Sequence, residues 1–159
     1  MLYLSRSLLV VAAAATVACT DTTGPGDPSA LALEQPLPAA GKSALRAGTI
    51  LLYHEPTVVE VPSSATAGTP FTVTVTTYGG GCISEDVTVV HVDGERADVV
   101  PYQRIYNPAR NVVCTSELRI TRRQASVTFA SSGTAVVRVI GRAQPADTLM
   151  QVERTVLVR

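Results

Sequence analysis

Hydrophobic and polar residues alternate along most of the chain beyond residue 48. The segment PFTVTVTTYG places Phe71, Val73 and Val75 on one face and threonines on the other, the period of two that predicts a half-buried β-strand. The runs TILLY, TVVEV, GTAVVRVIGRA and MQVERTVLVR show the same β-rich texture, and with the runs described next they give about nine short strands. No segment carries a convincing 3.6-residue helical period, so the chain is predicted to be all-β.

Turn residues separate these runs. Asp93 and Gly94 lie between two β-rich runs, a pair that predicts a two-residue hairpin turn. The segment ELRITRRQASVTF predicts a second hairpin, and Arg119, Arg122 and Arg123 then lie at its solvated tip. Many short strands with turn signals between them predict a two-sheet sandwich.

The composition indicates the size of the hydrophobic core and the net charge of the chain. With 159 residues and 46% hydrophobic content, the chain can build one core of ordinary size, which predicts one folded domain. Thirteen basic and thirteen acidic residues give a net charge of zero, which argues against a nucleic-acid partner because such binding needs clustered Lys and Arg.

The first eighteen residues have the three-part layout of a secretory signal peptide. Arg6 and the amino terminus supply positive charge, residues 8–15 form an unbroken apolar run, and small residues follow up to Ala18. The run is too short for a membrane-spanning helix, which needs about 20 apolar residues. Residues 1–18 are therefore predicted to direct export.

The four residues Thr16-Val17-Ala18-Cys19 resemble the lipobox of bacterial lipoproteins, although Leu is commonest where Thr16 stands. The resemblance implies that Cys19 is acylated, for example with palmitate, and becomes the new amino terminus that anchors the protein in a membrane. Thr20 follows the cysteine in place of Asp, which implies the outer membrane. The alternative is an ordinary secretory signal cut after Ala18, which leaves Cys19 as a free thiol.

A change in texture near residue 48 marks a domain boundary. Residues 19–47 contain four prolines and many small residues without a sustained period, which predicts a lipidated N-terminus followed by a flexible linker. The alternative is a short docked helix in ALALEQPL or SALRA. Residues 48–159 form the predicted folded domain.

Two phrases in this domain, VPSSATAGTPFTVTV and SVTFASSGTAVVRVIG, resemble bacterial immunoglobulin-like domains. In that family a Gly-x-Pro precedes an early strand and a Gly-Thr opens a late one. The resemblance implies an immunoglobulin-like antiparallel β-sandwich and no particular activity. The tryptophan of antibody-type domains is missing.

The three cysteines are predicted to have two different roles. If Cys19 carries lipid, Cys82 and Cys114 remain as an even pair in an exported domain, which predicts one disulfide. The three glycines before Cys82 allow the positive φ or close backbone approach that a crowded bridge requires. A redox-active pair is disfavoured because there is no Cys-x-x-Cys spacing.

The chain offers little catalytic chemistry. In a strand, His91 and Asp93 point to the same face, the minimum geometry for orienting a base. No serine lies in a Gly-x-Ser-x-Gly turn, and the histidines match no zinc spacing. We therefore expect no catalytic residue, no metal site and no cofactor, and we keep as an alternative a small periplasmic hydrolase with His91 as base.

The segment PYQRIYNPAR is the candidate binding surface, with Tyr102, Arg104, Tyr106 and Arg110 in a Pro-bounded, irregular stretch. Tyr and Arg are enriched at interface hot spots. The alternative is that the two tyrosines cap the open end of the core.

Taken together, these features predict a lipid-anchored cell-envelope protein that acts as a non-catalytic interaction or structural module. The expected partners are the membrane, through lipid on Cys19, and an envelope protein or a glycan. A further alternative is a solute-binding accessory subunit of an envelope complex.

Overall fold

Ten β-strands form the regular secondary structure of the residues that the structure, a computed structural model, describes: Leu33, residues 35–53 and residues 55–159. This part of the chain contains no helix, which confirms the predicted all-β class. The strands are β1 (Lys42–Ala47), β2 (Thr49–Leu52), β3 (Val59–Glu60), β4 (Ser64–Ala65), β5 (Phe71–Gly79), β6 (Ile83–Asp93), β7 (Arg96–Asn107), β8 (Arg119–Val127), β9 (Gly133–Gln144) and β10 (Thr148–Val158). Among the described residues, no helix has the length and apolar character that crossing a membrane demands.

All ten strands belong to one hydrogen-bonded sheet, whose main path runs β1-β7-β9-β2-β5-β3. Strands β6, β8 and β10 pair with β7, β5 and β9, and β4 pairs with β10. The pairs β7 with β9, β2 with β9 and β4 with β10 are parallel, so the sheet differs from the wholly antiparallel arrangement predicted. These pairs join strands distant in sequence, where no short turn imposes an antiparallel direction.

The sheet curls so that the inward faces of its strands share one apolar core. Period-two alternation supplies the inward side chains, because successive residues of a strand point to opposite faces. The rings of Phe71 and Phe129 contact each other in this core, with centroids 5.9 Å apart. The valines of the core with essentially no exposed surface are Val73, Val75, Val99, Val127, Val137, Val139 and Val156.

Residues 119–127 form the single strand β8, so the predicted hairpin and its arginine tip are wrong. The strand pairs with β5 along its whole length, from Gly79 opposite Arg119 to Phe71 opposite Val127. The segment contains no Gly, Pro, Asn or Asp that would favour a turn. A polar residue on the inward face, Arg123, interrupts the hydrophobic alternation without breaking the strand.

The predicted hairpin between β6 and β7 is confirmed, with its turn one residue later than expected. Asp93 pairs with Arg96, and Gly94 is the first of the two central turn residues, with a φ of 55° that favours glycine. Strand β7 then continues through Pro101 to Asn107, where an irregular stretch is predicted.

Pro101 is tolerated because it lies at a break in the ladders on both sides of β7. The pairing with β9 ends at Val99 and the pairing with β1 begins at Tyr102. On the other side, the register with β6 shifts between Glu85 and Thr88, next to the pairing of Thr88 with Pro101. A residue without an N–H is found in strands at such positions.

The predicted linker also differs from the structure, because its last six residues form strand β1. This strand pairs with the C-terminal half of β7, whose backbone groups would otherwise form an open edge. Residues 35–41 contain no helix and are mostly exposed, and Asn107 Nδ2 donates to the Pro38 carbonyl at 2.7 Å. Leu33 contacts a second, smaller core cluster on the sheet. The folded domain therefore begins before residue 48.

Candidate functional site

The disulfide predicted between Cys82 and Cys114 is present, with the two Cα atoms 5.2 Å apart. It ties the start of β6 to the loop of residues 108–118, which carries no strand and is largely exposed. Because this loop makes little backbone pairing of its own, the disulfide is its main attachment. Cys19 and residues 1–18 lie outside the described residues.

The glycines before Cys82 let this loop approach the sheet closely. Gly80 and Gly81 have φ values of 111° and 59°, which are unfavourable for other residues. A Cβ on Gly80 would overlap the Glu117 carbonyl, and one on Gly81 would overlap the Thr115 carbonyl. The role predicted for the glycines, positive φ and close approach at the bridge, is confirmed.

We expect Gly80→Ala to lower the free energy of unfolding by about 2–3 kcal/mol, because it adds backbone strain and a clash with the loop. Gly68 is the matched control, since it has a φ of 72° but no atom within 4 Å of an added Cβ. Gly68→Ala should cost only the strain, about 1 kcal/mol. Urea unfolding measures both values, and equal losses would contradict a specific role for the loop contact.

Large apolar side chains are exposed around this loop. Val113 is 88% exposed, Tyr53 66% and Ile120 60%, and Leu118 and Val112 are also exposed. We refer to these five residues as the apolar end patch. Tyr53 and Leu118 border the same cleft, and exposed apolar side chains that lie together are typical of interaction sites.

Part of the apolar end patch borders an open cleft of about 270 Å³. The lining contains no charged residue, and Tyr78 forms its buried wall with its hydroxyl donating to the Pro56 carbonyl at 3.3 Å. Burial, and to a lesser degree the charge of Glu55, raises the pKa of Tyr78. The cleft therefore favours an uncharged, apolar group.

A buried polar network underlies this end of the molecule. Gln103 Nε2 donates to the Tyr78 carbonyl and to Glu85 Oε1, each at 3.0 Å, and its Oε1 accepts from the Thr49 N–H at 2.9 Å. Glu85 in turn accepts from Arg123 Nη1 at 2.5 Å. These bonds join β7, β5, β2, β6 and β8, so the support beneath the patch is rigid.

Arg123 also bridges the two strands that approach without backbone pairing, β6 and β8. Its Nη2 donates to the Asp86 carbonyl and to Thr88 Oγ1. The Arg123 guanidinium thus donates hydrogen bonds to β6, where a strand paired with β6 would otherwise donate backbone N–H groups. The prediction of a solvated tip misses this role, since its detection requires the tertiary fold.

Of the four residues predicted to form the candidate surface in residues 101–110, one is buried and three are partly or fully exposed. Tyr102 is 3% exposed and belongs to the smaller core cluster, so it cannot contribute to an exposed patch. Burial raises the pKa of its hydroxyl, which has no hydrogen-bond partner in the described residues. Arg104 is exposed and paired with Asp86 at 2.8 Å, Tyr106 is half-buried, and Arg110 is exposed.

His91 is half-buried on β6 and lies opposite Asp98 in the ladder with β7. Asp98 is itself engaged by Arg138. Asp93 shares the strand face of His91 but pairs with Arg96 at the hairpin end. In the described part of the chain, no side-chain hydroxyl is hydrogen-bonded to His91.

A second site, which sequence reasoning misses, lies at the turn between β9 and β10. Arg46 Nη2 donates to Asp147 Oδ2 at 2.8 Å, and Arg142 Nε donates to Oδ1 at 2.7 Å. We refer to these three side chains as the arginine cluster. Burial alone would raise the pKa of Asp147, but the hydrogen bonds and charges of Arg142 and Arg46 outweigh it and lower the pKa.

No group of three His, Cys, Asp or Glu side chains lies in metal-binding proximity within residues 33, 35–53 and 55–159. No protein-family model matches the chain, and comparisons with curated proteins and with solved structures find no match.

Proposed function

We propose that the protein is a lipid-anchored component of the bacterial cell envelope whose β domain is a non-catalytic binding module. The apolar end patch carries this proposal, because three of its five exposed apolar side chains lie on a loop that a disulfide fixes to a rigid sheet. Interfaces bury apolar and aromatic side chains at their centre and keep polar groups at the rim. The favoured partner is an envelope protein with an apolar contact surface.

Two ion pairs beside the patch favour an uncharged partner surface. Arg119 and Glu117 pair with each other at 3.3 Å, and Arg122 pairs with Glu60 at 2.6 Å. These side chains are exposed and already have counter-charges within the domain. An acidic or basic partner would have to break these pairs to gain its own.

The anchoring part of the proposal rests on the signal-like residues 1–18 and the lipobox resemblance at Cys19. The disulfide supports it, since such bonds persist mainly in exported proteins. The proposed location is the outer membrane.

Growth with labelled palmitate tests the anchor. We expect label in the wild-type protein and none in Cys19→Ser, because the thioether requires that sulfur. Cys114→Ser is the matched control and should keep the label. Label that persists in Cys19→Ser, or is absent from the wild type, would disprove lipidation at this residue.

A photo-crosslinking amino acid at Val113 tests the binding surface in native envelopes. We expect one crosslinked envelope protein, whose crosslinking falls strongly when Ile120→Ser is added. A hot-spot residue contributes about 2 kcal/mol, or about thirtyfold in affinity.

Leu157, an exposed apolar residue on β10, is the control position. A crosslinker there should not trap the same protein, and Leu157→Ser should not weaken the crosslink from Val113. Identical products from both positions would contradict a specific patch. Retention of the protein on purified peptidoglycan that Ile120→Ser abolishes would instead indicate a glycan ligand.

We also propose that the domain is a variant of the immunoglobulin-like sandwich. The support is that strands β5 and β8 share one core with β7, β9 and β10, as two facing layers would. The parallel pairs depart from the antiparallel pattern of that family.

A further inference from the structure

The arginine cluster holds more positive than negative charge. Two guanidinium groups share the single carboxylate of Asp147, which leaves a net charge of +1. Gln144 Nε2 also donates to Asp147 Oδ1, at 3.3 Å, and adds no charge. Neither Arg46 nor Arg142 has a second carboxylate within ion-pair distance among the described residues.

This excess charge lies in a largely buried place. Arg46 is 4% exposed and Arg142 is 9% exposed. Removing a charge from water is unfavourable unless an opposite charge compensates for it. The surroundings therefore favour one additional negative group close to the two arginines.

The donors of the two arginines are not used equally. Arg142 donates to Asp147 Oδ1, to the Asp147 carbonyl and to the Leu33 carbonyl, so all three of its nitrogens are engaged. Arg46 donates only through Nη2, and its buried Nε has no hydrogen-bond partner in the described residues. Buried N–H groups without an acceptor are rare in proteins.

A cleft of about 480 Å³ opens at this point. The arginine cluster forms one wall, and Gln35, Pro36 and Thr148 contribute to the rest. The volume is sufficient for a small ligand. The side chains of Gln35 and Thr148 add neutral hydrogen-bonding groups beside the charged ones.

We propose that this cleft binds one small oxyanion, a phosphate or carboxylate group, with Arg46 as the principal donor. The planar guanidinium matches such a group with parallel N–H···O bonds. Arg142 supplies long-range attraction, and the Asp147 carboxylate competes with the oxyanion for both guanidinium groups. This site is separate from the apolar end patch and does not depend on lipidation at Cys19.

Titration calorimetry of the full-length protein in a neutral detergent tests this proposal, with sodium phosphate as the probe and sodium chloride at equal ionic strength as the reference. We expect saturable phosphate binding. Arg46→Gln should weaken it by about tenfold or more, the effect of one charge-assisted hydrogen bond.

Asp147→Asn tests the same site in the opposite direction. It retains the size of the side chain and removes the competing negative charge, so the net charge of the cluster rises to +2. We expect phosphate to bind about tenfold more tightly, since the added charge acts at short range in a partly buried site. This variant keeps the proposal testable if Arg46→Gln does not fold.

Arg104→Gln is the matched control, because Arg104 forms an exposed ion pair with Asp86. It should leave phosphate affinity unchanged. Absence of saturable binding, or equal affinities in wild type, Arg46→Gln and Asp147→Asn, would overturn the proposal.

The source of the oxyanion is tested with vesicles of phosphatidylglycerol and phosphatidylethanolamine and the full chain carrying Cys19→Ser. Retention that free phosphate competes away, and that Arg46→Gln reduces, indicates a lipid headgroup. Phosphate binding without vesicle retention indicates a soluble ligand. Both results support the site and differ only in what fills it.

Discussion

Replacing both Cys82 and Cys114 with serine should lower the free energy of unfolding by about 3–4 kcal/mol, measured by urea unfolding. The bond closes a loop whose ends are separated by 32 positions, so its loss enlarges the conformational freedom of the unfolded chain. Native domains are stable by only about 5–15 kcal/mol, so this is a large fraction. The loss should be accompanied by faster amide exchange in residues 112–118.

Two comparisons make this expectation specific. The reduced wild-type protein should unfold at the same urea concentration as the double serine variant, because both lack the same covalent link. Ile120→Ser, which changes the apolar end patch without touching the disulfide, should change stability by less than about 1 kcal/mol. An unchanged free energy of unfolding in the double variant would mean that the loop and sheet hold together without the bond.

The disulfide and most strands are predictable from the sequence. The disulfide follows from the number of cysteines, and the strands follow from the local alternation of residues. Two cysteines that remain in a domain predicted to be exported indicate one bond whatever the fold. The alternation in Phe71–Gly79 and Gly133–Gln144 identifies β5 and β9, since the central residues on one face of each are buried. The turn at Gly94 follows from the conformation that glycine permits.

Strand β1 and the interior of β8 are not predictable in this way. Lys42–Ala47 has no strong alternation of its own, and it forms a strand because β7 offers an edge to pair with. Arg123 is polar at an inward position, so the local pattern indicates a turn. Its partner Glu85 is 38 positions away, and only the curled sheet brings them together.

The candidate sites are also consequences of the tertiary fold. Leu118 and Ile120 are apolar, and a sequence does not reveal which apolar residues remain exposed. Arg46 and Asp147 are 101 positions apart, and Arg46 lies in a segment with the composition of a linker. Predicting the arginine cluster requires knowing that β1 ends beside the turn between β9 and β10.

The second large effect concerns the ion pair between Arg138 and Asp98, on the neighbouring strands β9 and β7. Arg138 donates through Nε at 2.8 Å and through Nη2 at 2.5 Å to a carboxylate that is only 4% exposed. The hydrogen bond to Asp98 is the main reason that the pKa of Arg138 is raised. Such two-point pairs are the strongest ionic contacts in proteins.

Arg138→Met should lower the free energy of unfolding by about 3–5 kcal/mol in urea unfolding, because it leaves a buried carboxylate without a counter-charge. The double variant Arg138→Met/Asp98→Leu should regain most of this loss, since apolar residues of similar volume often replace a buried pair without penalty. A double-mutant cycle with Asp98→Leu then gives the coupling energy of the pair.

Arg104→Met is the control that tests whether burial of the ion pair, and not the loss of an arginine charge alone, causes the loss of stability. It makes the same chemical change on β7, but Arg104 is 50% exposed in its pair with Asp86, so we expect a loss below about 1 kcal/mol. If Arg138→Met and the double variant lose equal stability, the loss comes from packing between β7 and β9 and not from the unpaired charge of Asp98. If Arg104→Met is as harmful as Arg138→Met, burial of the carboxylate is not what makes the inner pair important.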